Sequence, residues 1–390
     1  MEIYLNAGCR RAAHKCQTMR FAVLSLLNLR ACNGKCSAVI KVLGLALYGP
    51  LAASTRYRLG QYVPGLARSG IDLQICHLLD DDYLRSRFSG GGFPIPAMLK
   101  AGLARVSDLR HQAKFDAALL YGELFPLMPG WLDRSLIRLP YIFDFDDAFY
   151  LKYRKGRLGL ARPLLGNKFD TLMAGAAAVT AGNHVLSQYA RQHNANSHDL
   201  PTVVDIERYL PARKERNDMF TVGWIGSPST APYLAELVQP LAVLGKEGPV
   251  RLVVIGGNAP VIPNVTVVEV AWQEQTEIGL INSFDVGVMP LPDDEWTRGK
   301  CAFKLIQYMA CAVPVIASRV GANVAVVGKD CGILVESAYD WVDALRLMRD
   351  QPTTRTRMGE AARERVVQHY SLQRNLPVLG AVIRQVAVRS

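Results

Sequence analysis

Residues 298–318 read RGKCAFKLIQYMACAVPVIAS, and the fold is decided there. Val313-Pro314-Val315-Ile316-Ala317 is a short apolar run of the kind that forms a buried parallel strand. A second such run, Asp285-Val286-Gly287-Val288-Met289-Pro290-Leu291, precedes it. Between them Phe303, Ile306, Met309 and Ala310 recur at spacings of three and four, which predicts an amphipathic helix over 301–312. Strand, loop, helix, strand is a βαβ unit. Arg298, Lys300 and Lys304 crowd the start of its helix, with Cys301, Ala302 and Phe303 in the same turn. A helix N-terminus presents free N–H groups and partial positive charge. Open α/β sheets bind ligands beyond the carboxyl ends of their strands. Three cations at that place predict a site for an anion, with a diphosphate as the natural guest. The competing reading is a solvated basic loop.

The same residues carry a family resemblance. Tyr308-Met309-Ala310-Cys311-Ala312-Val313-Pro314-Val315-Ile316-Ala317-Ser318 resembles the Ala-Met-Ala-Cys-Gly-Val-Pro-Val-Ile-Ala run of glycosyltransferase family four, which is of the two-domain GT-B type. That family places a Glu, seven residues and a second Glu along this segment. Gly299 and Gln307 stand at those two positions here, so both acids are absent. The resemblance gives the second position the nucleotide ribose. Gln307 keeps an acceptor oxygen for a hydroxyl and adds an N–H donor.

The 390 residues are enough for two ordinary domains. Half are hydrophobic and 20% charged, which excludes a disordered chain. A net charge of +11 favours anionic partners, namely nucleotide diphosphates or an acidic membrane surface. No nucleic-acid-binding signature accompanies it. No apolar run reaches the ~20 residues of a membrane span. The eight cysteines form no disulfide framework, which suggests a reducing, cytoplasmic setting, and the positive charge adds the expectation of peripheral contact with the inner face of a membrane.

Residues 1–38 carry no pattern tying them to the first strand. Phe21–Leu29 is a short apolar patch after basic residues, without a small-residue cleavage site. Cys9, His14, Cys16, Cys32 and Cys36 lack the paired spacing of a zinc site. The segment is read as an extension outside the fold.

The first domain opens at Val39–Tyr48, a strand ending in Gly49-Pro50. Ser54 is placed to cap a helix whose stripe is Leu59, Tyr62, Val63 and Leu66 and whose end is Gly70. Ile71–Ile75 is the next strand. There is no GxGxxG, so no dinucleotide fingerprint. Further strands are read at Asp116–Tyr121, which ends at Gly122-Glu123, at Pro140–Phe143 and at Ala177–Ala181, with Asn183 capping the following helix. GT-B relatives turn the first loop toward the interdomain cleft. The resemblance therefore implies acceptor contacts for Ser54, Arg56, Arg58 and Glu123, against the plainer reading of surface arginines. Pro140–Phe143 runs into Asp144-Phe145-Asp146-Asp147, three carboxylates in four positions. Three readings stay open: orientation or deprotonation of an acceptor, a metal on Asp144-x-Asp146, and a structural cap of the next helix.

Leu200–Asp205 resembles the segment where the family's chain leaves the first domain, and 206–218 reads as a linker. The second domain opens with the strand Phe220–Ile225. The loop Gly226-Ser227-Pro228-Ser229-Thr230 follows, then a helix at Pro232–Leu244. Relatives often place a basic residue near that loop. Here the backbone N–H groups and the hydroxyls of Ser227, Ser229 and Thr230 remain to meet phosphate, or to cap the helix. Trp272, at the start of a helix read over 272–283, is a candidate to stack on a base or to pack in the core.

Alternating strands and helices, twice over, predict an α/β chain of two Rossmann-like domains facing a cleft. The boundaries are 39–205 and 219–370, joined by 206–218. The resemblance implies that the C-terminal helix, 371–390, crosses back onto the first domain. It further implies transfer of a hexose from a nucleoside-diphosphate sugar to a hydroxyl of a glycan or lipid-linked acceptor, retaining configuration. No cofactor and no metal are expected beyond that co-substrate. Asp144, Asp146, Asp147 and Lys304 are the expected catalytic groups. Gly226, Ser227, Ser229, Thr230, Trp272, Arg298, Lys300 and 301–304 with Gln307 are the expected donor site. The alternatives are a GT-B-like binder without activity and a nucleotide-sugar epimerase.

Overall fold

A computed structural model describes residues 39–88, 91–92, 95–155, 160–212 and 219–388. The 1–38 extension with its cysteines and His14, and residues 213–218 of the expected linker, lie outside the described residues. The fold is built on two parallel sheets. The first contains β1 (Ile40–Tyr48), β2 (Ile71–Leu79), β3 (Ala117–Tyr121), β4 (Tyr141–Phe145), β5 (Ala178–Ala181) and β6 (Ser197–Asp199), in the order β2-β1-β3-β4-β5-β6. The second contains β7 (Phe220–Ile225), β8 (Val250–Ile255), β9 (Thr266–Val270), β10 (Val286–Met289), β11 (Val315–Ser318) and β12 (Gly332–Val335), in the order β12-β11-β10-β7-β8-β9. Central strands such as β3, β4, β7 and β10 are buried throughout, which is why they read as unbroken apolar runs.

Each sheet has a place where the strand order reverses, between β1 and β3 in the first and between β7 and β10 in the second. Loops leaving paired strands diverge at such a point and open a crevice. The loops after β1, β3, β7 and β10 therefore border that crevice.

Several expected helices differ from what forms. The helix after β1 breaks into Ala53–Arg58, a 3₁₀ turn Gly60–Tyr62 and Val63–Arg68. Gly60 weakens the helix and Pro64 lacks the N–H that would continue it. Its N-cap is Ala52 without a side-chain hydrogen bond, so Ser54 is not the cap. The central helix runs Phe303–Ala310 rather than 301–312, because Ala302 sits at φ 55°, in the left-handed region, and Ala312 at φ 56°. Nor is it amphipathic in place: Leu305 through Ala310 are all buried. The Pro352–Arg365 helix covers its outward face. Pro232–Leu244 resolves into a 3₁₀ segment, Ala231–Leu237, and a helix, Val238–Glu247. The helix ending near Ser283 is only Glu277–Asn282, so Trp272 lies in the loop before it.

The chain does cross back at its end. Val204 N–H donates to Tyr370 O (3.1 Å) and Leu372 N–H to Val204 O (2.8 Å), so the two crossings touch. The Leu372–Ala387 helix then buries Leu379, Val382, Ile383 and Val386 with Leu59, Tyr62 and Leu66 of the first domain.

Candidate active site

The second-domain half of the cleft starts where β7 ends. In the Gly226–Thr230 loop, Ser227 N–H donates to Thr230 Oγ1 (3.3 Å), Thr230 Oγ1 donates to Ser227 O (3.1 Å), and the Ser227 and Ser229 hydroxyls lie 2.8 Å apart. Gly226 is required by packing: a Cβ there would lie 2.9 Å from Lys304 Cε and would strike the Trp224 ring. Without it, Lys304 settles with Nζ 5.3 Å from the centre of the Trp224 indole. Burial pushes its ammonium down to about 8, Lys300 adds to that fall, and Asp147 opposes it. A small cavity of about 10 Å³ lies between Trp224, Thr230, Leu291, Lys300 and Lys304. On the other side of the loop a cavity of about 380 Å³ is lined by Pro228, Gly256, Gly257, Asn258, Glu269 and Ala271.

The three expected cations do not stay together. Lys300 Nζ reaches across the cleft to within 3.6 Å of Asp147 Oδ1. Arg298 ends the short Glu295–Arg298 helix, which Asp294 and Thr297 close with a capping box. That turn sends the guanidinium outward, onto exposed Asp293 (2.6 and 3.0 Å). Of the three, Lys300 and Lys304 are the two that stay at the cleft. Gly299, where the family places an acid, has no room for one: a Cβ would lie 2.6 Å from Ala148 Cβ of the first domain. Around it, Asn183 Nδ2 donates to Gly299 O (2.9 Å) and Lys300 O (3.1 Å), and buried Cys301 Sγ donates to Asp146 O (2.9 Å). Asn183 also caps its own helix, as expected.

The three aspartates of the first domain separate into different environments. Asp144 is buried. It pairs with buried Arg58 through two guanidinium nitrogens, Nε (2.8 Å) and Nη2, and accepts from Thr180 Oγ1 (2.5 Å). Arg58 also donates to Leu200 O (2.7 Å). Asp144 and Arg58 are therefore a structural ion pair beneath the cleft, where neither meets a substrate. Glu123 is likewise committed, buried among Lys152, Lys168 and Tyr153. Asp146 accepts from Tyr121 Oη (2.5 Å) and Thr202 Oγ1 (3.2 Å), and Ser54 lies against the same Tyr121 hydroxyl. Burial raises its carboxyl. Asp147 keeps a third of its side chain exposed and faces Lys300. Burial, with Asp146 beside it and Lys300 opposing, raises its carboxyl to about 6. Among the described residues no three His, Cys, Asp or Glu side chains group as a metal site.

Gln307 and Trp272 also differ from expectation. Gln307 is buried and donates to Tyr209 Oη (3.0 Å) and Glu277 Oε1 (3.0 Å). Glu277 further accepts from Tyr209, Tyr57 (3.2 Å) and Trp272 Nε1 (2.5 Å). Trp272 has Arg56 over its ring at 4.5 Å, while Arg56 Nη1 donates to Leu51 O (2.7 Å). Arg56, Trp272 and Gln307 therefore belong to an interdomain seam. Tyr121 and Thr202 were missed in the sequence, although Tyr121 closes a central strand, where site residues collect. Nothing local marks Thr202 or Glu277.

Two parallel six-stranded domains closing on such a cleft, with the last helix returned to the first domain, are the GT-B architecture of glycosyltransferases. Residues 217–350 match the family Glycosyl transferases group 1. An 87-residue stretch is 37% identical to D-inositol 3-phosphate glycosyltransferase of Arthrobacter sp. (strain FB24), covering 22% of this chain and 20% of that protein. The chain thus spans about a fifth of the length of the curated relatives it matches. Sucrose-phosphate synthase of Thermosynechococcus elongatus superposes with a TM-score of 0.63 at 15% identity, over 90% of this chain and 100% of that one. HepE of Anabaena, solved with UDP-glucose, gives 0.63 at 12% identity, over 90% and 100%. Among the described residues no helix is long and apolar enough to cross a membrane.

Proposed function

We propose that the chain is a glycosyltransferase that moves a hexose from a nucleoside-diphosphate sugar to a hydroxyl of a glycan or lipid-linked acceptor, with retention, in cell-surface polysaccharide or glycolipid synthesis. The observation that carries this reading is the placement of Lys304. A partly desolvated ammonium lies at the loop after β7, beside Lys300 and facing Asp147 across the cleft. An ammonium depressed by burial and a like charge is stabilised by an anion, and a diphosphate supplies one. The cavity of about 380 Å³ on the far side of the Gly226–Thr230 loop has the size of a nucleoside pocket. HepE, whose structure holds UDP-glucose, makes a uridine-diphosphate hexose the first donor to test.

In the proposed reaction the bond between the anomeric carbon and the phosphate oxygen breaks, and its electron pair leaves with the diphosphate. Lys304 and Lys300 stabilise that developing charge, without a metal. The acceptor oxygen forms the new bond on the same face, and its proton passes to the departing diphosphate. Asp147 orients the acceptor hydroxyl. The test is calorimetric titration of the protein and of Lys304→Ala with UDP, GDP and ADP. The variant is expected to bind the preferred diphosphate about 10–100-fold more weakly, the loss of a charge-assisted hydrogen bond. Equal dissociation constants reject the site. Tight binding without sugar transfer or donor hydrolysis would identify a non-catalytic binder.

A further inference from the structure

Cys301 and Ala302 are consecutive, yet they are buried in the cores of different domains. Cys301 packs in the first, with Phe145, Ala148 and Ala181. Ala302 packs in the second, with Leu305 and Ile306. Ala302 turns the chain from one to the other in the left-handed region, at φ 55°. A non-glycine residue stays in that region only where its surroundings fix it on both sides. The segment ahead of Ala302 is therefore a plug of the second domain set into the first.

Two tripeptides meet at this plug. Gly299, Lys300 and Cys301 run against Ala148, Asp147 and Asp146. At one end Gly299 abuts Ala148, where a Cβ would lie 2.6 Å from the Ala148 Cβ. At the other end Cys301 Sγ donates to Asp146 O at 2.9 Å, and the bare Cα of Gly182 leaves the space that this sulfur fills. The middle pair is Lys300 and Asp147, 3.6 Å apart. Asn183 Nδ2 grips the same segment through Gly299 O (2.9 Å) and Lys300 O (3.1 Å). Lys300 Nζ also lies 5.5 Å from the centre of the Trp296 indole, which itself packs against the first-domain core. A partly exposed ion pair is too weak to hold two loops in register, so its flanks must do so.

We infer that Gly299 and Cys301 are positioning residues, which seat Lys300 against Asp147 by docking residues 299–301 into the first domain. One domain carries the cation and the other sets where it stands. The catalytic consequence rests on the proposed transfer reaction, whereas the seating does not. An ordinary packing contact would instead leave Lys300 where the Glu295–Arg298 turn puts it.

The test is the acetylation rate of Lys300 in the full chain without substrate, read by mass spectrometry with exposed Lys246 as the reference. Gly299 has φ −79°, open to any residue, so Gly299→Ala adds only the methyl that meets Ala148. Lys300 is expected to react at least about fivefold faster in that variant, because local opening becomes easier. Ala148→Gly in the same chain should bring the rate back toward the parent value. Cys301→Ala loosens the other flank without crowding, should also raise the rate, and stands in if Gly299→Ala misfolds by circular dichroism. Unchanged Lys300 reactivity in either folded variant overturns the proposal, as does a rise that Ala148→Gly fails to reverse. In a transfer assay the losses from Gly299→Ala and Lys300→Met should not multiply, since one acts through the other. Multiplied losses would make Gly299 a structural residue only and overturn its positioning role. The labelling pattern without any sugar transfer or donor hydrolysis would refute the proposed reaction and leave the seating standing.

Discussion

Lys300 Nζ lies 3.6 Å from an Asp147 carboxylate oxygen, so a cation of the second domain and an acid of the first meet across the cleft. Asp147 is a third exposed, and such pairs contribute only about 0–1 kcal/mol to stability. Asp147→Ala is therefore expected to melt within about 1 kcal/mol of the parent. Turnover should fall by roughly 10²-fold or more if Asp147 orients the acceptor. Affinity for the nucleoside diphosphate should hold or rise, since a negative charge leaves the phosphate site. An unchanged kcat in a coupled assay would remove Asp147 from the mechanism.

Lys304 gives a pH dependence with opposite signs for folding and binding. Its ammonium titrates near 8 in the native chain, below its ordinary 10.5. The native state then holds that proton less tightly than the unfolded chain does. Lys304 weakens the fold fully below about 8, and the penalty is relieved as pH rises from 8 toward 10.5. A diphosphate prefers the protonated form, so its affinity should fall as pH climbs through about 8. Calorimetry in buffers of different ionisation enthalpy should report proton uptake on binding above that pH. Lys304→Ala should lose the uptake, and its persistence would assign it to another group.

Arg58 and Asp144 lie 86 residues apart and are both buried. Breaking such a pair strands a charge, so Arg58→Met is expected to destabilise by about 3–5 kcal/mol. Arg58→Met combined with Asp144→Leu should recover part of that loss in urea melts. Additive losses would mean the two side chains act independently.

Gly226→Ala tests the close approach of Lys304. A methyl there meets Lys304 Cε and the Trp224 ring, so the lysine must move. Nucleoside-diphosphate affinity should fall at least about tenfold, while thermal stability drops by only ~1–3 kcal/mol, as overpacking commonly costs. Undisturbed affinity would place the diphosphate elsewhere.

Chelation tests the proposed metal-free reaction. Excess EDTA should leave the rate within about twofold, too small a change for loss of a Lewis acid worth several kcal/mol. Activity lost to EDTA and restored by Mn²⁺ would revive the reading of a metal on Asp144-x-Asp146.

The parallel strands were legible because burial on both faces leaves an apolar run, as in Phe220–Ile225. That Lys300 and Lys304 come to the cleft was legible because they open the helix that follows the carboxyl end of β10. The fates of the aspartates were not. Asp144, Asp146 and Asp147 are neighbours in sequence, and what separates them are Arg58, Tyr121 and Lys300, brought in from distant segments. Gln307 matched a family position, yet its partners Tyr209 and Glu277 are set by packing at the seam. The break after Arg58 was readable from Gly60 and Pro64, but a continuous apolar stripe outweighed them.

The contact of Val204 with Tyr370 and Leu372 fixes both interdomain passages at one spot, like a pin through two leaves. Residues 39–212 are in this sense an unfinished half, since their last piece arrives from beyond the other domain. Cut out alone, they would bare Leu59, Tyr62 and Leu66, which the Leu372–Ala387 helix covers. The molecule is therefore not divisible at its linker, and any exchange of second domains between relatives must carry the closing helix with the first domain.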